Sequence, residues 1–272
     1  MIHEIFPHKF KNEYRNEKPN LNSIIFYFDE QNILTQHSEH EIRYPTFNDF
    51  KNIEAEYTYL FAIDGTTFFI AHTEQQIQIE GFSFEDNAVF RSALPKTNGF
   101  SGVVAYHLNC WYKANKFCGR CAQKLIHGTK ERMLFCPSCN NIVYPKIAPV
   151  IIVAITNDNT LLLTKYAGRP FTNYALVAGF IEIGETAEEA LAREVMEEVG
   201  LKVKNITYYK SQPWGYSSSL IMGFFAELDG EATVTLDTEE LSEAKWFAKE
   251  EIQIEYNDTS LTNEMIYKFK HS

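Results

Sequence analysis

A stretch of 23 residues, Gly179 to Leu201, constrains what this chain can fold into more than any other. It reads GFIEIGETAEEALAREVMEEVGL. Glycines punctuate its start, and Thr186 followed three residues later by Glu189 has the form of a capping box. We therefore predict a helix whose N-cap is Thr186. Gly200 stands where the glycine that ends a helix is expected.

A helical wheel divides this helix into two faces. Glu194, Glu197 and Glu198 fall within an arc of about 100°. The opposite side is expected to pack and holds Leu191, Ala192, Val195, Met196 and Val199. Clustered carboxylates beside small residues suit a hard divalent cation with oxygen ligands. A solvated acidic face is the alternative interpretation, although like charges at this spacing repel by about a few tenths of a kcal/mol per pair.

The full spacing favours the metal site. Gly179, Glu185 and the run from Arg193 to Leu201 (REVMEEVGL) resemble the signature of the Nudix hydrolases, with every fixed position filled. The resemblance implies an enzyme that depends on Mg²⁺ or Mn²⁺ and hydrolyses a nucleoside diphosphate linked to another group.

The same resemblance assigns roles to acidic side chains. Glu194, Glu197 and Glu198 are the implied metal ligands and catalytic residues, with Glu198 as the implied general base. Glu240, in the context ELSEAKW, resembles a distal glutamate that joins the metal site; its neighbour Glu239 is the fallback, and an exposed acidic run is the alternative. We expect Arg193 to be a structural partner of these carboxylates, and Glu185 to order Arg193 or a second ion.

Four of the five cysteines form two CxxC pairs separated by fourteen residues. They are Cys118, Cys121, Cys136 and Cys139. Four thiolates close a tetrahedral shell around one zinc ion and leave no position for water, so we predict a structural zinc ribbon. A redox motif or a nucleic-acid-binding ribbon are the alternatives, and two matched pairs argue against the first. We interpret the fifth, Cys110, as a packing residue.

The length of 272 residues, with 45% hydrophobic residues, allows more than one domain. The net charge of −11 argues against a protein held mainly by attraction to nucleic acid or to an anionic membrane. No apolar run reaches the length of a membrane span, and the first residues lack a secretory signal. We therefore expect a cytoplasmic protein.

Residues 1–100 are predicted to form a β-rich N-terminal domain. Tyr57 to Ile63 and Thr66 to Ala71 flank an Asp-Gly turn, which indicates a hairpin, and a second hairpin is predicted around Ser23 to Leu34. The histidines of this region lack metal-ligand spacing and are interpreted as ordinary residues; they are His3, His8, His37, His40 and His72.

Residues 101–145 are predicted to hold a helix, from Ser101 to Lys116, and the Cys₄ zinc ribbon. Residues 146–272 alternate strand-like runs with the box helix and end in a predicted helix from Thr259 to Lys270. The predicted fold class is α/β, and the resemblance implies a Nudix α/β/α sandwich preceded by a zinc ribbon and a β-rich N-terminal domain.

Between two predicted strands lies the segment SQPWGYSSS, from Ser211 to Ser219. With the ribbon upstream, its opening SQPW resembles the NADH pyrophosphatase branch of the Nudix hydrolases. That branch has Pro-Phe-Pro where this chain has Gly215-Tyr216-Ser217, so the loop is expected to be softer and the preference for NAD(H) is in doubt. The predicted substrate-binding residues are Phe180, Trp214, Tyr144, Gln212 and Ser219.

The resemblance implies hydrolysis of NADH or NAD⁺ to AMP and a nicotinamide mononucleotide by a homodimer. The alternatives within the family are NAD-capped RNA, ADP-ribose and diadenosine polyphosphates. A zinc-ribbon protein that binds a nucleotide without catalysis is the alternative of another class.

Overall fold

The computed structural model describes residues 1–39, 41–73, 75–168 and 173–272, so His40 lies outside the described residues. The chain forms two compact units. The N-terminal unit consists of residues 2–146 and 215–218, and the C-terminal unit consists of Met1 and residues 147–214 and 219–272. The β-rich region and the ribbon therefore share one unit.

The N-terminal unit is mostly β-structure. Its first strands are β1 (Phe10–Lys11), β2 (Ile24–Phe26), β3 (Phe28–Asp29), β4 (Asn32–Ser38), β5 (Glu41–Arg43), β6 (Glu56–Ile63), β7 (Thr66–His72) and β8 (Ser83–Asp86). A short helix α1 (Phe47–Phe50) precedes β6, and a 3₁₀ helix (Asn87–Arg91) leads to α2 (Lys96–Ala114). The ribbon adds β9 (Ile126–His127), β10 (Leu134–Phe135) and β11 (Ile142–Val143). The sheets run β1-β6-β7-β2, β3-β4-β5 with β8 paired to β4, and β11-β10-β9.

The predicted hairpin of strands β6 and β7 is confirmed. Asp64 and Gly65 form its turn with φ values of 51° and 92°, the left-handed geometry that an Asp-Gly hairpin turn requires. Phe61 and Phe68 stack across the two strands with their ring centres 4.8 Å apart. The sequence signal was local here, so the prediction was accurate.

Helix α2 begins at Lys96, five residues before the predicted Ser101. Two glycines explain the extra turn, because they let α2 lie against the 3₁₀ helix. A Cβ atom on Gly99 would lie 2.6 Å from the carbonyl oxygen of Phe90, and one on Gly102 would overlap the Phe90 ring. The low helix propensity of glycine hid this turn from the sequence analysis.

The C-terminal unit is a mixed sheet with a helix on each face. Its elements are β12 (Ala148–Asn157), β13 (Thr160–Tyr166), β14 (Val177–Phe180), α3 (Ala187–Val199), β15 (Val203–Trp214), β16 (Ser219–Leu228), β17 (Leu241–Ala248) and α4 (Leu261–Lys270). The strand order is β15-β16-β12-β13-β17, with β14 paired to β12. Only the β12–β16 pair is parallel among the described pairs of this sheet.

Alternation along β12 builds a core on either side of the sheet. Ile151 and Val153 pack with Leu191 and Val195 of α3. Ile152 and Ala154 pack with the buried residues of α4, which are Leu261, Met265, Ile266 and Phe269. This arrangement confirms the predicted α/β/α sandwich and the predicted C-terminal helix.

Strand β15 runs to Trp214, so the residues SQPW extend a strand rather than lie between two strands. Ser211 to Trp214 pair in register with Met222 to Ser219 of β16. Within the described residues, no helix is long and apolar enough to cross a membrane.

Candidate active site

Helix α3 is capped as predicted. The backbone N–H of Thr186 donates to Oε2 of Glu189 (2.8 Å), and the N–H of Glu189 donates to Oγ1 of Thr186 (3.2 Å). At the other end Gly200 adopts a left-handed φ of 69° and its N–H donates to the carbonyl oxygen of Met196. Both ends of the helix that carries the acidic cluster are therefore fixed by local sequence.

Gly179, at the end of β14, provides the space for a carboxylate of α3. A Cβ atom added to Gly179 would collide with the carboxyl carbon and both oxygens of Glu194. The Glu194 carboxylate therefore lies directly over the backbone of this glycine. Space, rather than an unusual backbone conformation, explains why glycine occupies the first position of the box.

Arg193 organises the carboxylates around it. Its Nε donates to Oε1 of Glu185 (2.6 Å) and its Nη2 to Oε2 of the same residue (2.9 Å). Its Nη1 donates to Glu194 (2.8 Å) and to Glu197 (2.9 Å). The remaining bond runs from Nη2 to the backbone oxygen of Phe180 (3.1 Å). These bonds occupy all five N–H donors, so the predicted structural role of Arg193 fits the geometry.

The charges of the box shift the acidity of two glutamates in opposite directions. Hydrogen bonds from Arg193 lower the pKa of Glu185 to about 2. Burial raises the pKa of Glu194, and the charges of Glu197 and Glu240 add to the rise against the opposing effect of Arg193. Glu185 is thus firmly ionised and pairs with Arg193, whereas Glu194 faces neighbouring negative charge.

Glu198 corrects the predicted division of the helix into an acidic and a packing face. Glu198 is only 3% exposed, whereas Met196, which was predicted to pack, is 42% exposed. Ala192 is exposed as well. The backbone N–H of Asp237 donates to the carbonyl oxygen of Glu198 (2.9 Å), so a later segment of the chain contacts α3 at this residue.

Glu240 lies in the turn that follows this segment. The N–H of Leu241 donates to the carbonyl oxygen of Asp237, and the N–H of Glu239 donates to the Asp237 carboxylate, both at 2.9 Å. The Glu240 side chain is exposed and its charge acts on Glu194. The fold thus brings Glu240 to the α3 carboxylates from 42 residues away.

The acidic cluster has the chemistry that a divalent cation requires. Carboxylate oxygens are hard ligands, and a cation would relieve the repulsion that Glu197 and Glu240 exert on Glu194. The carboxylates are spread more widely than a closed ligand set, with Glu194 and Glu197 both bound to Arg193. The donor set and the space over Gly179 fit the metal that the sequence implied.

Three predicted substrate residues lie at one end of the sheet. Phe180 pairs with Val150 near the start of β12, and Ser219 pairs with both Trp214 and Ala148. Phe180 is 54% exposed and Ser219 is buried. Because successive residues point to opposite faces, Gly179 faces α3 while Phe180 points to the other face. The acidic cluster and the Phe180 side chain therefore lie on opposite faces of the same strand end, where the backbone oxygen of Phe180 accepts from Arg193.

Gln212 was predicted to contact the substrate, and the structure gives its side chain another position. It is fully buried, its Nε2 donates to the carbonyl oxygen of Thr259 (2.7 Å), and its Oε1 accepts from the N–H of Leu261 (2.8 Å). Leu261 is the first residue of α4, so Gln212 caps this helix from the neighbouring strand. The geometry corrects the predicted role to a structural one.

Tyr144 lies in the N-terminal unit, directly after β11. It is 54% exposed, and its hydroxyl donates to Oε1 of Glu131 (3.1 Å), which raises the pKa of Tyr144. Its stacking on a base stays a prediction.

The four cysteines of the ribbon converge. Within the described part of the chain they are the one group of potential ligands whose donor atoms all lie within 4.8 Å of one another. Cys121 Sγ lies 3.4 Å from the sulfurs of Cys136 and Cys139. A Zn–S bond of about 2.3 Å gives tetrahedral S···S edges of about 3.8 Å, close to this arrangement. The site is therefore preformed for zinc.

The two CxxC turns share one backbone design. The N–H of Ala122 donates to the carbonyl oxygen of Cys118 (2.8 Å), and that of Asn140 donates to the oxygen of Cys136 (3.0 Å). Ala122 and Asn140 both adopt left-handed φ values, 60° and 58°. In the first turn the N–H of Arg120 donates to the Cys118 sulfur and lowers the pKa of that thiol to about 6, which favours the metal-binding thiolate.

The comparisons with known proteins agree with this geometry. Residues 146–268 match the NUDIX domain family, and residues 113–144 match the NADH pyrophosphatase zinc ribbon domain. The chain therefore contains a NUDIX domain preceded by a zinc ribbon of the NADH pyrophosphatase type.

Among named relatives, the NAD-capped RNA hydrolase NudC of Shigella flexneri is 42% identical over 144 residues, 53% of this chain and 56% of that protein. The protein of the same name from Escherichia coli O9:H4 (strain HS) is 41% identical over the same coverage. The chain thus spans about half the length of these relatives. A solved NUDIX hydrolase from Nitrosomonas europaea is 29% identical, with a TM-score of 0.44, over 50% of this chain and 80% of that one.

Proposed function

We propose that the protein hydrolyses the pyrophosphate of NADH or NAD⁺, with Mg²⁺ or Mn²⁺, to AMP and the corresponding nicotinamide mononucleotide. The observation that carries the proposal is the carboxylate cluster of α3 at the end of β14, where Gly179 leaves room for Glu194 and the backbone oxygen of Phe180 accepts from Arg193. The match of residues 113–144 to the NADH pyrophosphatase zinc ribbon domain supports the dinucleotide substrate.

Within this proposal, Glu194, Glu197, Glu198 and Glu240 would hold the divalent cation. A cation held there would supply positive charge against the phosphates and would lower the pKa of an attacking water. The water oxygen ends on one of the two phosphates, and the other phosphate leaves with its nucleoside. The buried carboxylate of Glu198 would accept the proton of the water.

The base-binding role falls to aromatic side chains. Phe180 exposes about half of its surface at the end of β14, and Trp214 stands at the end of β15. Stacking on such a ring contributes about 1–3 kcal/mol per base. Ser219, paired with Trp214, supplies a hydroxyl at the same end of the sheet. A cytoplasmic location and a homodimer stay predictions.

NAD-capped RNA is the second candidate substrate, because the named relatives carry that activity in their names. The bond broken is the same in both substrates, so the box chemistry does not separate them. The net charge of −11 favours the free dinucleotide over a ligand with a long RNA body.

A substrate panel tests the proposal. The purified chain, with Mg²⁺ and separately with Mn²⁺, is incubated with NADH, NAD⁺, NAD-capped RNA, ADP-ribose and a diadenosine polyphosphate, and the products are identified by mass spectrometry. We expect AMP and nicotinamide mononucleotide from NADH or NAD⁺ at the highest kcat/KM. A higher kcat/KM for NAD-capped RNA would show that capped RNA, rather than the free dinucleotide, is the preferred substrate. Absence of hydrolysis with either metal would indicate a protein that only binds nucleotides.

A further inference from the structure

The turn Gly215–Ser218 joins the end of β15 to the start of β16. The residues on either side of it, Trp214 and Ser219, pair directly with each other. The four residues of the turn nevertheless belong to the N-terminal unit by their contacts. After residue 146, only these four residues, which lie between two candidate substrate residues of the C-terminal unit, belong to the N-terminal unit.

Gly215 is held against helix α2. A Cβ atom at this position would lie 2.6 Å from the carbonyl oxygen of Val103, 2.7 Å from Val103 Cγ1 and 3.3 Å from Cβ of His107. The first of these atoms, the carbonyl oxygen of Val103, belongs to the backbone of α2 and cannot move aside as the end of a flexible side chain could. Only glycine fits at this position, which explains why this chain lacks the proline that the resemblance leads one to expect. The turn is therefore closely packed against α2.

Tyr216 provides the second contact of the turn. Its ring packs against the core of the N-terminal unit, and the guanidinium carbon of Arg91 lies 4.7 Å from the ring centre, within cation–π range. Burial raises the pKa of Tyr216 to about 12. Arg91 is the last residue of the 3₁₀ helix. Gly99 and Gly102 let this helix pack closely against α2, and this packing positions Arg91.

Helix α2 also contacts the chain at Lys146, next to the boundary between the two units. Nε2 of His107 forms a hydrogen bond of 2.8 Å with the carbonyl oxygen of Lys146, the last residue of the N-terminal unit before β12. Val103 and His107 are four residues apart and share one helix face. Strands β12 and β16 begin side by side, with Ala148 opposite Ser219. One face of α2 therefore fixes the chain just before both strands.

We propose that Arg91 and Tyr216, with Gly215, are positioning residues that hold the turn between Trp214 and Ser219 in the conformation that dinucleotide binding requires. The inference rests on the proposed function. The acidic cluster on α3 has its own local support in Arg193 and the capping box. Loosening the turn should therefore raise KM and leave kcat nearly unchanged.

The test uses Arg91→Ala, Arg91→Lys and Tyr216→Leu in the full chain, with Arg43→Ala as a matched control in the same unit, since Arg43 is exposed on β5. Steady-state kinetics with NADH give KM and kcat, and calorimetric titration of NADH without divalent metal gives Kd. We expect Arg91→Ala and Tyr216→Leu to raise KM and Kd about five- to tenfold, the loss expected for one buried cation–π contact. Arg91→Lys, which keeps the cation, should recover part of this loss.

Unchanged KM and Kd in Arg91→Ala would overturn the inference, and so would a fall in kcat that follows the loss of folded protein with no change in KM. If Tyr216→Leu fails to fold, the two Arg91 variants decide the question. A wild-type chain that binds NADH without hydrolysing it would refute the proposed function alone, because Kd would still measure the effect of the turn. A wild-type chain that neither binds nor hydrolyses NADH would refute both.

Discussion

The Glu194 carboxylate occupies the space that a side chain on residue 179 would need, so its position depends on Gly179 being a glycine. We expect Gly179→Ala to displace this carboxylate and lower kcat about 100-fold, as a misplacement of about 1 Å can. Gly119→Ala is the control, because no atom lies within 4 Å of a Cβ there. Kinetics with NADH measure both variants, and wild-type kcat in folded Gly179→Ala would refute this dependence.

Glu185 gives the box a dependence on pH. Its pKa in the folded chain, about 2, lies below the ordinary value of 4.5 because Arg193 binds the ionised form. The stabilisation is thus complete above about pH 4.5 and is lost as the pH falls towards 2. We expect the difference in Tm between the wild type and Glu185→Gln to be constant from pH 7 to about 5 and to shrink below 4.5.

Thermal unfolding at a series of pH values measures this difference. The Glu188→Gln variant controls for the loss of one negative charge from the same helix, at an exposed site. Protonation of the cysteine thiolates acts on all three proteins alike and cancels in the difference. A gap that widened as the pH fell would contradict the Arg193 pairing.

Single residues show where sequence reasoning reached its limit within the site. The capping box and the pairing of Arg193 with the box carboxylates depend on residues that lie close together in the sequence, and the motif sufficed to predict them. Glu198 is buried where a segment near Asp237 contacts the helix, and Met196 is exposed, which reverses the exposure expected for the two residues. No periodicity within α3 contains that information.

At the level of elements, the zinc ribbon is part of a larger core. Leu125 and Leu134 of the ribbon, with Cys118 and Cys136, belong to the same buried cluster as Phe26 and other side chains of the β-rich region. Zinc binding should therefore stabilise the whole N-terminal unit and not the ribbon alone.

We expect Cys118→Ser to lose its zinc and to lower Tm by about 10 °C or more, since several kcal/mol at about 2–4 °C per kcal/mol are removed. Metal analysis and calorimetry measure the two effects. Cys110→Ser is the matched control, because Cys110 lies outside the four-sulfur cluster and should keep one zinc per chain. A stable Cys118→Ser variant with one zinc per chain would show that the assignment of the ligands is wrong.

Elements with local signals were predicted well, and elements that depend on distant packing were not. The β6–β7 hairpin, α3 and α4 follow from turn residues, caps and periodicity. Strand β15 includes Ser211 to Trp214, which were predicted to lie between strands, because these residues pair with β16. Gln212, in that segment, was interpreted as a substrate contact because its role as the cap of α4 requires knowledge of the tertiary structure.

At the level of the whole molecule, the division into two units does not follow the chain. Residues 215–218 belong with residues 2–146, although they interrupt the strands of the C-terminal unit. In the sequence the same residues were a departure that suggested a soft loop. The close approach of Val103 to Gly215 gives the physical reason for the departure, and it is visible only when both segments are placed in space.

The central claim is that the buried Glu198 of α3 drives metal-dependent hydrolysis of the dinucleotide. The most direct measurement compares Glu198→Gln with Glu188→Gln, an isosteric change on the same helix at an exposed site. With NADH and Mn²⁺, we predict that Glu198→Gln lowers kcat by at least about 100-fold, while Glu188→Gln keeps wild-type turnover and both variants stay folded. Near-normal kcat in folded Glu198→Gln, with AMP still formed, would contradict the account.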